Sequence, residues 1–173
     1  PELTKNYLKD LREPSPLSVT VPEEYGGNGA STKDFLTMDT YVGYESLPLA
    51  LLFGINGALF LQPIAKHADE ETKQKILPQY LEEKQLGGLM ITEPEFGTDA
   101  LNMTTGFDQT DGRYEVSGLK HWAGLTGWAD HWLIAARERG EGDTLGRDIS
   151  LFLCEGSDIE VTELYNNLGL NML

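Results

Sequence analysis

The chain changes character at Met90-Ile91-Thr92-Glu93-Pro94-Glu95-Phe96-Gly97-Thr98-Asp99, where helical periodicity gives way to strands. An apolar, strand-like run leads into this stretch. Pro94 fixes its own φ and Gly97 is free to take a positive φ, so the pattern predicts a turn directly after the strand. Thr92 and Thr98 place hydroxyl groups on either side of the turn. A loop of this kind can bring N–H groups and hydroxyls close to a flat or anionic ligand, although a plain turn is the simpler interpretation.

Upstream of this stretch, apolar residues recur at helical spacing. Thr4 is expected to cap a short helix that ends before Pro14. Ser31 or Thr32 is expected to cap the next helix. Residues 49–65 are strongly apolar, but glycine, asparagine, glutamine and proline interrupt them. This pattern favours a buried helix over a membrane span.

The last predicted helices lie just before the change in periodicity. Asp69 is expected to cap a helix over residues 70–77. Pro78 fits poorly inside a helix, so we predict that it begins a further short one. The helical part of the chain is then expected to end before residue 86.

Downstream, the pattern predicts strands. Residues 104–109 and 113–117 form a hairpin joined at Thr110-Asp111-Gly112, because Asp-Gly favours a tight turn between antiparallel strands. Further strands are predicted at 119–122, 132–137, 149–154 and 159–164, with a surface loop at 139–147. The fold class is therefore α+β. An N-terminal all-α domain (1–85) is followed by an antiparallel β-barrel or sandwich domain (86–173), which we expect to be incomplete.

Composition limits the classes of function. The chain has 173 residues, with 13 Lys and Arg against 28 Asp and Glu, so its formal net charge is −15. This charge opposes binding to nucleic acid or to an anionic membrane. Cys154 is the only cysteine, so no internal disulfide can form, and we expect a cytoplasmic location. The three histidines form no metal-ligand pattern, so no metal is expected.

Three segments together resemble one protein family, the acyl-CoA dehydrogenases. Thr-Glu-Pro-Glu-Phe-Gly-Thr-Asp (92–99) resembles their Thr-Glu-Pro-x-x-Gly-Ser/Thr-Asp signature. Val-Pro-Glu-Glu-Tyr-Gly-Gly (21–27) is similar to an early loop of the family. Gly-Leu-Lys-His-Trp (118–122), followed by Gly-Trp-Ala-Asp (127–130), is similar to its Gly-x-Lys-x-Trp segment. The motifs occur in family order at family-like spacing, so the resemblance covers nearly the whole chain.

The resemblance implies FAD as cofactor, an acyl-CoA thioester as substrate and an electron acceptor such as an electron-transfer flavoprotein. Ile91 and Thr92 would present backbone groups and a hydroxyl to the flavin ring. Gly97 and Thr98 would approach the pyrophosphate or the coenzyme A arm, so Thr98 is also a predicted substrate contact. Trp122 would lie against the ring. The full-length protein would be a homo-oligomer.

The chain departs from the family pattern in two places. Glu95 and Phe96 stand where the family usually has small residues. Trp122 is followed by Ala-Gly where the family has x-Thr, which removes a hydroxyl directed at the flavin. The backbone N–H of Gly124 is expected to serve the flavin instead. Thr126 is a candidate to restore the hydroxyl.

The resemblance supplies no catalytic base. In the family a glutamate of a C-terminal helical domain removes the α-proton while the β-hydrogen leaves as hydride to the flavin. This chain reaches Leu173 at a point that resembles the interior of the family's β domain. We therefore expect the C-terminal domain to be absent and the isolated chain to be inactive. Glu93 lies in the signature, but we interpret it as a structural residue that orients the loop.

Alternative functions remain open at this point. Acyl-CoA oxidases and certain flavin-dependent monooxygenases resemble this scaffold. The absence of the family's hydroxyl at Gly124 keeps these two classes open as alternatives. A non-catalytic module that binds flavin or acyl-CoA is the third possibility. Such a module would leave an open sheet edge near Leu173 that favours pairing or aggregation.

Overall fold

A computed structural model describes residues 18–140 and 145–165 of the chain. The predicted helix that begins at Thr4 and the predicted open edge near Leu173 lie outside these ranges. The helical part contains four α-helices and one π-helical segment among the described residues. They are α1 (Thr32–Glu45), α2 (Leu47–Gly54), the π segment (Ile55–Leu61), α3 (Gln62–His67) and α4 (Glu70–Glu82).

The two predicted helix caps that fall within the described residues are confirmed. Ser31 and Asp34 form a capping box, in which each side chain accepts a hydrogen bond from the other residue's backbone N–H. Asp69 Oδ1 accepts from the N–H of Thr72 at 2.7 Å. The prediction that Pro78 begins a new helix is wrong, because Pro78 lies inside α4. One proline forfeits a single N–H, and burial of the α4 side chains on the core outweighs that loss.

The long apolar stretch Leu47–His67 is one nearly continuous helical run with a widened turn in its middle. The N–H of Gln62 bonds to the carbonyl of Gly57, five residues earlier. Pro63 follows directly and cannot donate a backbone hydrogen bond, which favours this wider spacing. By length and composition the run could cross a membrane: an 18-residue window within it has a mean hydropathy of 1.7, and 44% of that window is buried inside the protein. The absence of a membrane span therefore stays a prediction.

Five strands form a single mixed sheet in the described part of the chain. They are β1 (Gly87–Met90), β2 (Gly106–Thr110), β3 (Arg113–Ser117), β4 (His131–Arg139) and β5 (Leu145–Glu155). β5 pairs antiparallel along the whole of β4, and β3 pairs antiparallel with β2. The turn between β2 and β3 is the predicted Asp-Gly turn, since Asp111 and Gly112 both have positive φ.

The opposite edge of β4 is shared by two strands placed end to end. β1 pairs in parallel with residues 131–134, and β2 pairs in parallel with Arg137 and Glu138. The chain between them, residues 91–105, leaves this edge and returns to it. We call it the 91–105 loop; it contains the Thr-Glu-Pro signature.

Helices followed by strands confirm the α+β class, but the purely antiparallel barrel or sandwich is wrong in detail. β4 makes parallel pairs with both β1 and β2, and the described strands do not close into a barrel. The predicted strands at 119–122 and 159–164 are not strands. The predicted 139–147 loop is shorter, because β4 runs to Arg139 and β5 begins at Leu145. The proposed division at residue 86 stays a prediction.

The core has two clusters, one against each face of the sheet. Leu133 on one face packs with Phe60, Leu61 and Tyr80 of the helical part. Trp132 and Met90 on the other face pack with α2 and with Leu125. Both clusters join helices to strands, so the two parts of the described chain share their apolar cores.

Candidate functional site

A cleft of about 800 Å³ lies over the face of the sheet that carries Met90, Val116 and Ile134. Its volume falls in the range of about 300–1,000 Å³ that is typical of small-molecule sites. Leu51 of α2 and Ile55 of the π segment contribute a wall from the helical part. Residues 118–124, Thr126 and residues 158–165 contribute the other walls.

Glu93 closes the neck of the 91–105 loop, which we define as the point where the two ends of the loop meet. Its Oε2 accepts hydrogen bonds from the backbone N–H and the hydroxyl of Thr104, at 2.6 and 2.7 Å. Its Oε1 accepts from the N–H and hydroxyl of Thr105, at 2.8 and 2.5 Å. The carboxylate is almost fully buried. Glu93 therefore holds the loop shut, which agrees with the structural role expected from the sequence.

Lys120 completes the neck from a neighbouring segment. Its Nζ lies 3.0 Å from Glu93 Oε1 and donates to the carbonyl of Ile91 at 3.0 Å. Met103 Sδ lies 3.6 Å from the same nitrogen. An ammonium group has three protons, so these three partners use its full donor capacity. Burial lowers the pKa of Lys120, and the bond to Glu93 opposes that shift.

The hydrogen bonds at the neck lower the pKa of Glu93 and keep its carboxyl ionised. Burial raises the pKa of this carboxyl, but the hydrogen bonds from Thr105 and Thr104 outweigh burial and bring the pKa down to about 2. A carboxyl with so low a pKa, and with both oxygens occupied, is a poor proton acceptor near neutral pH. This chemistry argues against Glu93 as a catalytic base.

We expect the neck to make the protein acid-sensitive. Because the folded pKa of Glu93 is about 2 and its ordinary value is 4.5, its stabilisation is complete above pH 4.5 and is lost as the pH falls towards 2. This lowering of the pKa corresponds to about 3 kcal/mol of stabilisation of the folded state. Urea unfolding at pH 7, 4 and 3 measures this loss. A Glu93→Gln variant should lack that share of the pH dependence, and an identical pH dependence in both proteins would contradict this assignment.

The signature itself forms a tight turn, as predicted. Glu93 and Phe96 exchange backbone hydrogen bonds, N to O, at 3.1 and 3.2 Å. Gly97 follows the turn but does not adopt the positive φ that the sequence allowed. The backbone N–H of His121 donates to the carbonyl of Thr92 at 2.8 Å. This bond ties the 91–105 loop to the segment that carries Trp122.

Leu125 anchors that segment to the core. Its side chain is fully buried, and its carbonyl accepts hydrogen bonds from the N–H groups of Trp128 and Ala129, both at 2.9 Å. Leu125 and Trp122 both have positive φ, at 71° and 57°, which is rare for bulky side chains. The indole of Trp122 stays 63% exposed. The segment therefore buries the side chain of Leu125 in the core and leaves the indole of Trp122 exposed at the cleft.

The structure brings two of the six predicted cofactor contacts to the cleft. Trp122 and Gly124 line it, whereas Ile91, Thr92, Gly97 and Thr98 are not among the lining residues of the described chain. The carbonyls of Ile91 and Thr92 are engaged by Lys120 and His121. Gly97 and Thr98 lie exposed beyond the turn. Their roles toward a cofactor stay predictions.

Thr126 lines the cleft, but its hydroxyl proton is already used. Thr126 Oγ1 donates to the carbonyl of Ala123 at 2.6 Å. The oxygen keeps its lone pairs, so Thr126 can accept a hydrogen bond from a ligand and cannot also donate one in this arrangement. The missing family hydroxyl is therefore not restored as a donor.

Sequence reasoning missed most of the cleft lining, including three residues from segments far from the Trp122 loop. Leu51 and Ile55 were assigned to a buried helix, and Tyr165 had no role. Each comes from a segment distant in sequence from the Trp122 loop. The apolar helical pattern could have suggested a buried face, but the sequence carried no signal for which strand or loop that face would meet.

Carboxylates dominate the charge around the cleft. Asp158, Glu160 and Glu163 line it, and Lys120 is the only lysine or arginine among its described lining residues. Lys120 already pairs with Glu93. In the described ranges, moreover, His, Cys, Asp and Glu form no group of three or more that could hold a metal ion.

Comparison with known families assigns the chain. Residues 2–84 match the N-terminal domain of acyl-CoA dehydrogenases, and residues 88–173 match the middle domain. The chain belongs to the acyl-CoA dehydrogenase family. The resemblance inferred from the three sequence motifs is thereby confirmed.

Two relatives of this chain within the family are named for different substrates. An isovaleryl-CoA dehydrogenase of Solanum tuberosum is 31% identical over 61% of this chain and 26% of its own length. An L-prolyl-[peptidyl-carrier protein] dehydrogenase of Pseudomonas fluorescens is 32% identical over 75% of this chain and 35% of its own length. This chain thus spans about a quarter to a third of each relative.

A solved relative supports both fold and cofactor class. An acyl-CoA dehydrogenase of Bacillus anthracis, complexed with FAD, superposes with a TM-score of 0.82 at 26% identity. The match covers 96% of this chain and 28% of the other. The prediction that FAD is the cofactor of the family is confirmed.

Proposed function

We propose that this chain forms the flavin-binding part of an FAD-dependent dehydrogenase that introduces an α,β double bond into an acyl thioester. The supporting observation is the cleft beside the Trp122 loop in a chain that belongs to the acyl-CoA dehydrogenase family. The base, the substrate cavity and the electron acceptor would be supplied by the remainder of a longer protein and by a partner such as an electron-transfer flavoprotein.

The residues of the cleft fit a flavin ring. The ring needs an apolar or aromatic wall that excludes water and hydrogen-bonding groups at its polar edge. Trp122, Ile55 and Ile134 offer the wall. Backbone groups of residues 122–126 and the Thr126 oxygen offer the polar edge. When bound, FAD would supply the two-electron acceptor of the dehydrogenation.

The cleft fits the phosphates of FAD less directly. Lys120 is committed to Glu93, and three carboxylates line the same space. The pyrophosphate would therefore depend on N–H groups and hydroxyls, as predicted for Gly97 and Thr98, rather than on a cationic side chain. We expect ring contacts to provide most of the affinity of this chain for FAD.

Titration of the chain with FAD tests the proposal. We expect saturable binding, measured as quenching of flavin fluorescence. Trp122→Ala should weaken binding about fivefold to tenfold, because an aromatic contact contributes roughly 1 kcal/mol beyond area burial. Riboflavin should retain most of the binding and AMP little. Absence of saturable FAD binding would refute the proposed function.

A control variant distinguishes this effect from a general loss of structure. Tyr44→Ala removes a tyrosine of α1 that is 90% exposed and lies outside the cleft lining. Its affinity for FAD should equal that of the unsubstituted chain. Equal affinity of Trp122→Ala and Tyr44→Ala would argue against the Trp122 loop as the flavin contact.

A second substrate class has its own support. The carboxylates of Asp158, Glu160 and Glu163 would repel the phosphates of coenzyme A and attract an ammonium group. A prolyl thioester on a carrier protein carries such an ammonium, and the Pseudomonas relative is named for that substrate. In the full-length protein loaded with FAD, anaerobic bleaching by a simple acyl-CoA would favour the first class. Bleaching only by a prolyl thioester would favour the second.

A separate experiment identifies the electron acceptor by comparing oxygen uptake with electron transfer to a flavoprotein. Rapid oxygen consumption during turnover of the full-length protein would indicate an oxidase. Transfer to an electron-transfer flavoprotein, with little oxygen uptake, would indicate a dehydrogenase.

A further inference from the structure

Three aromatic rings meet on the wall of the cleft. The ring centroids of Trp122 and Tyr165 are 5.0 Å apart at 37°, and those of His121 and Trp122 are 4.6 Å apart at 74°. His121 and Tyr165 also touch, at 5.2 Å. All three residues line the cleft. We call this group the aromatic triad.

The backbone of Trp122 is held in an unfavourable conformation. A bulky residue with a φ of 57° costs of the order of 1–3 kcal/mol and persists only where its neighbours fix it. The N–H of His121 is fixed to Thr92 on one side, and the side chain of Leu125 is buried on the other. These contacts fix the backbone, but they do not fix the indole.

The indole itself needs further support. With 63% of the side chain exposed, little of it is packed against the core, and an exposed side chain can change rotamer on the ps–ns timescale. The described ring contacts of Trp122 come from His121 and Tyr165. Tyr165 belongs to a different segment, and its ring contacts the indole with a tilt of 37° between the two ring planes. Burial and the nearby carboxylate of Glu163 raise the pKa of the Tyr165 hydroxyl.

We infer that Tyr165 is a positioning residue for the flavin contact: it holds the indole of Trp122 in the orientation that receives the ring. The inference rests on the proposed function. It follows from a general requirement that a contact residue be locked by a second layer of packing before the ligand arrives. Tyr165 acts through Trp122 and is not itself a catalytic residue.

Two measurements on the 173-residue chain test the inference. The first, without ligand, is acrylamide quenching of tryptophan emission, with Trp122→Phe used to identify the share of Trp122. Tyr165→Ala should raise the quenching of that share, whereas Tyr165→Phe, which keeps the ring, should not. The second is FAD titration, in which Tyr165→Ala should weaken binding about fivefold and Tyr165→Phe should restore it to within about twofold.

The outcomes separate the inference from the proposed function. If the unsubstituted chain binds FAD and Tyr165→Ala binds it equally well or more tightly, the inference is overturned and the proposed function stands. Unchanged quenching of Trp122 in Tyr165→Ala overturns the inference as well. If the unsubstituted chain binds no FAD, the proposed function and the inference fall together. Tyr44→Ala serves as the matched control, since it removes a tyrosine outside the triad.

Discussion

Glu93→Gln is expected to lower the free energy of unfolding by about 3–5 kcal/mol, the usual cost of removing one partner from a buried ion pair. The substitution leaves the ammonium of Lys120 without its counter-ion. It also places an amide NH₂ where donors from Thr104 or Thr105 already point. For a chain of this size, the melting temperature should fall by roughly 10 °C or more. Thermal and urea unfolding at pH 7 measure both quantities.

The matched control lies two residues away. Glu95→Gln removes an exposed carboxylate of the same turn and should change stability by less than about 0.5 kcal/mol. Similar losses in the two variants would mean that the charge of the turn, rather than the closed neck, stabilises this region. A stable Glu93→Gln protein would overturn the account of the neck given above.

Phe60→Ala is expected to destabilise the chain by about 3–5 kcal/mol, the usual cost of deleting a buried aromatic ring. Phe60 is fully buried, and its ring packs 5.1 Å from that of Tyr80. On its other side the ring lies directly against Gly87, where a Cβ would come within 2.3 Å of it. The ring therefore fills the space between the π segment, α4 and β1, and its loss leaves a cavity between helices and sheet.

Leu59→Ala is the neighbouring control. Leu59 lies in the same π segment but is 45% exposed, so its truncation should cost clearly less than that of Phe60. Circular dichroism and urea unfolding of both variants make the comparison. Equal losses would contradict the assignment of the Phe60 contribution to burial of its ring against Gly87 and Tyr80.

Local rules predicted the local features. Ser31 and Asp69 cap helices, and Asp111-Gly112 makes a hairpin turn, because each effect depends on atoms within a few residues. The run of helices followed by strands predicted the α+β class, and Trp122 and Gly124, two of the residues that the family motifs singled out, line the cleft. These predictions did not require knowledge of which distant segments come together.

The errors involve distant partners. Residues 119–122 have a strand-like composition, but Lys120 reaches into the neck and the N–H of His121 bonds to Thr92, so no ladder forms there. The parallel pairing of β1 with β4 joins residues more than 40 positions apart, as the 2.7 Å bond from Leu86 N to Asp130 Oδ2 illustrates. Tyr165 reaches the cleft by the same kind of long-range contact. Composition and residue spacing do not indicate which distant segments come into contact.

The end-to-end placement of β1 and β2 on one edge of β4 has an evolutionary consequence. The 91–105 loop begins and ends on that edge, so residues can be inserted at its tip without shifting the register of any strand. Doubling a flexible loop costs only about 0.6 kcal/mol in closure entropy. Because Glu93 fastens the base of the loop, residues added at its exposed tip beside Glu95 would leave the neck intact. The length of the loop can thus change while the strands and the neck stay unchanged.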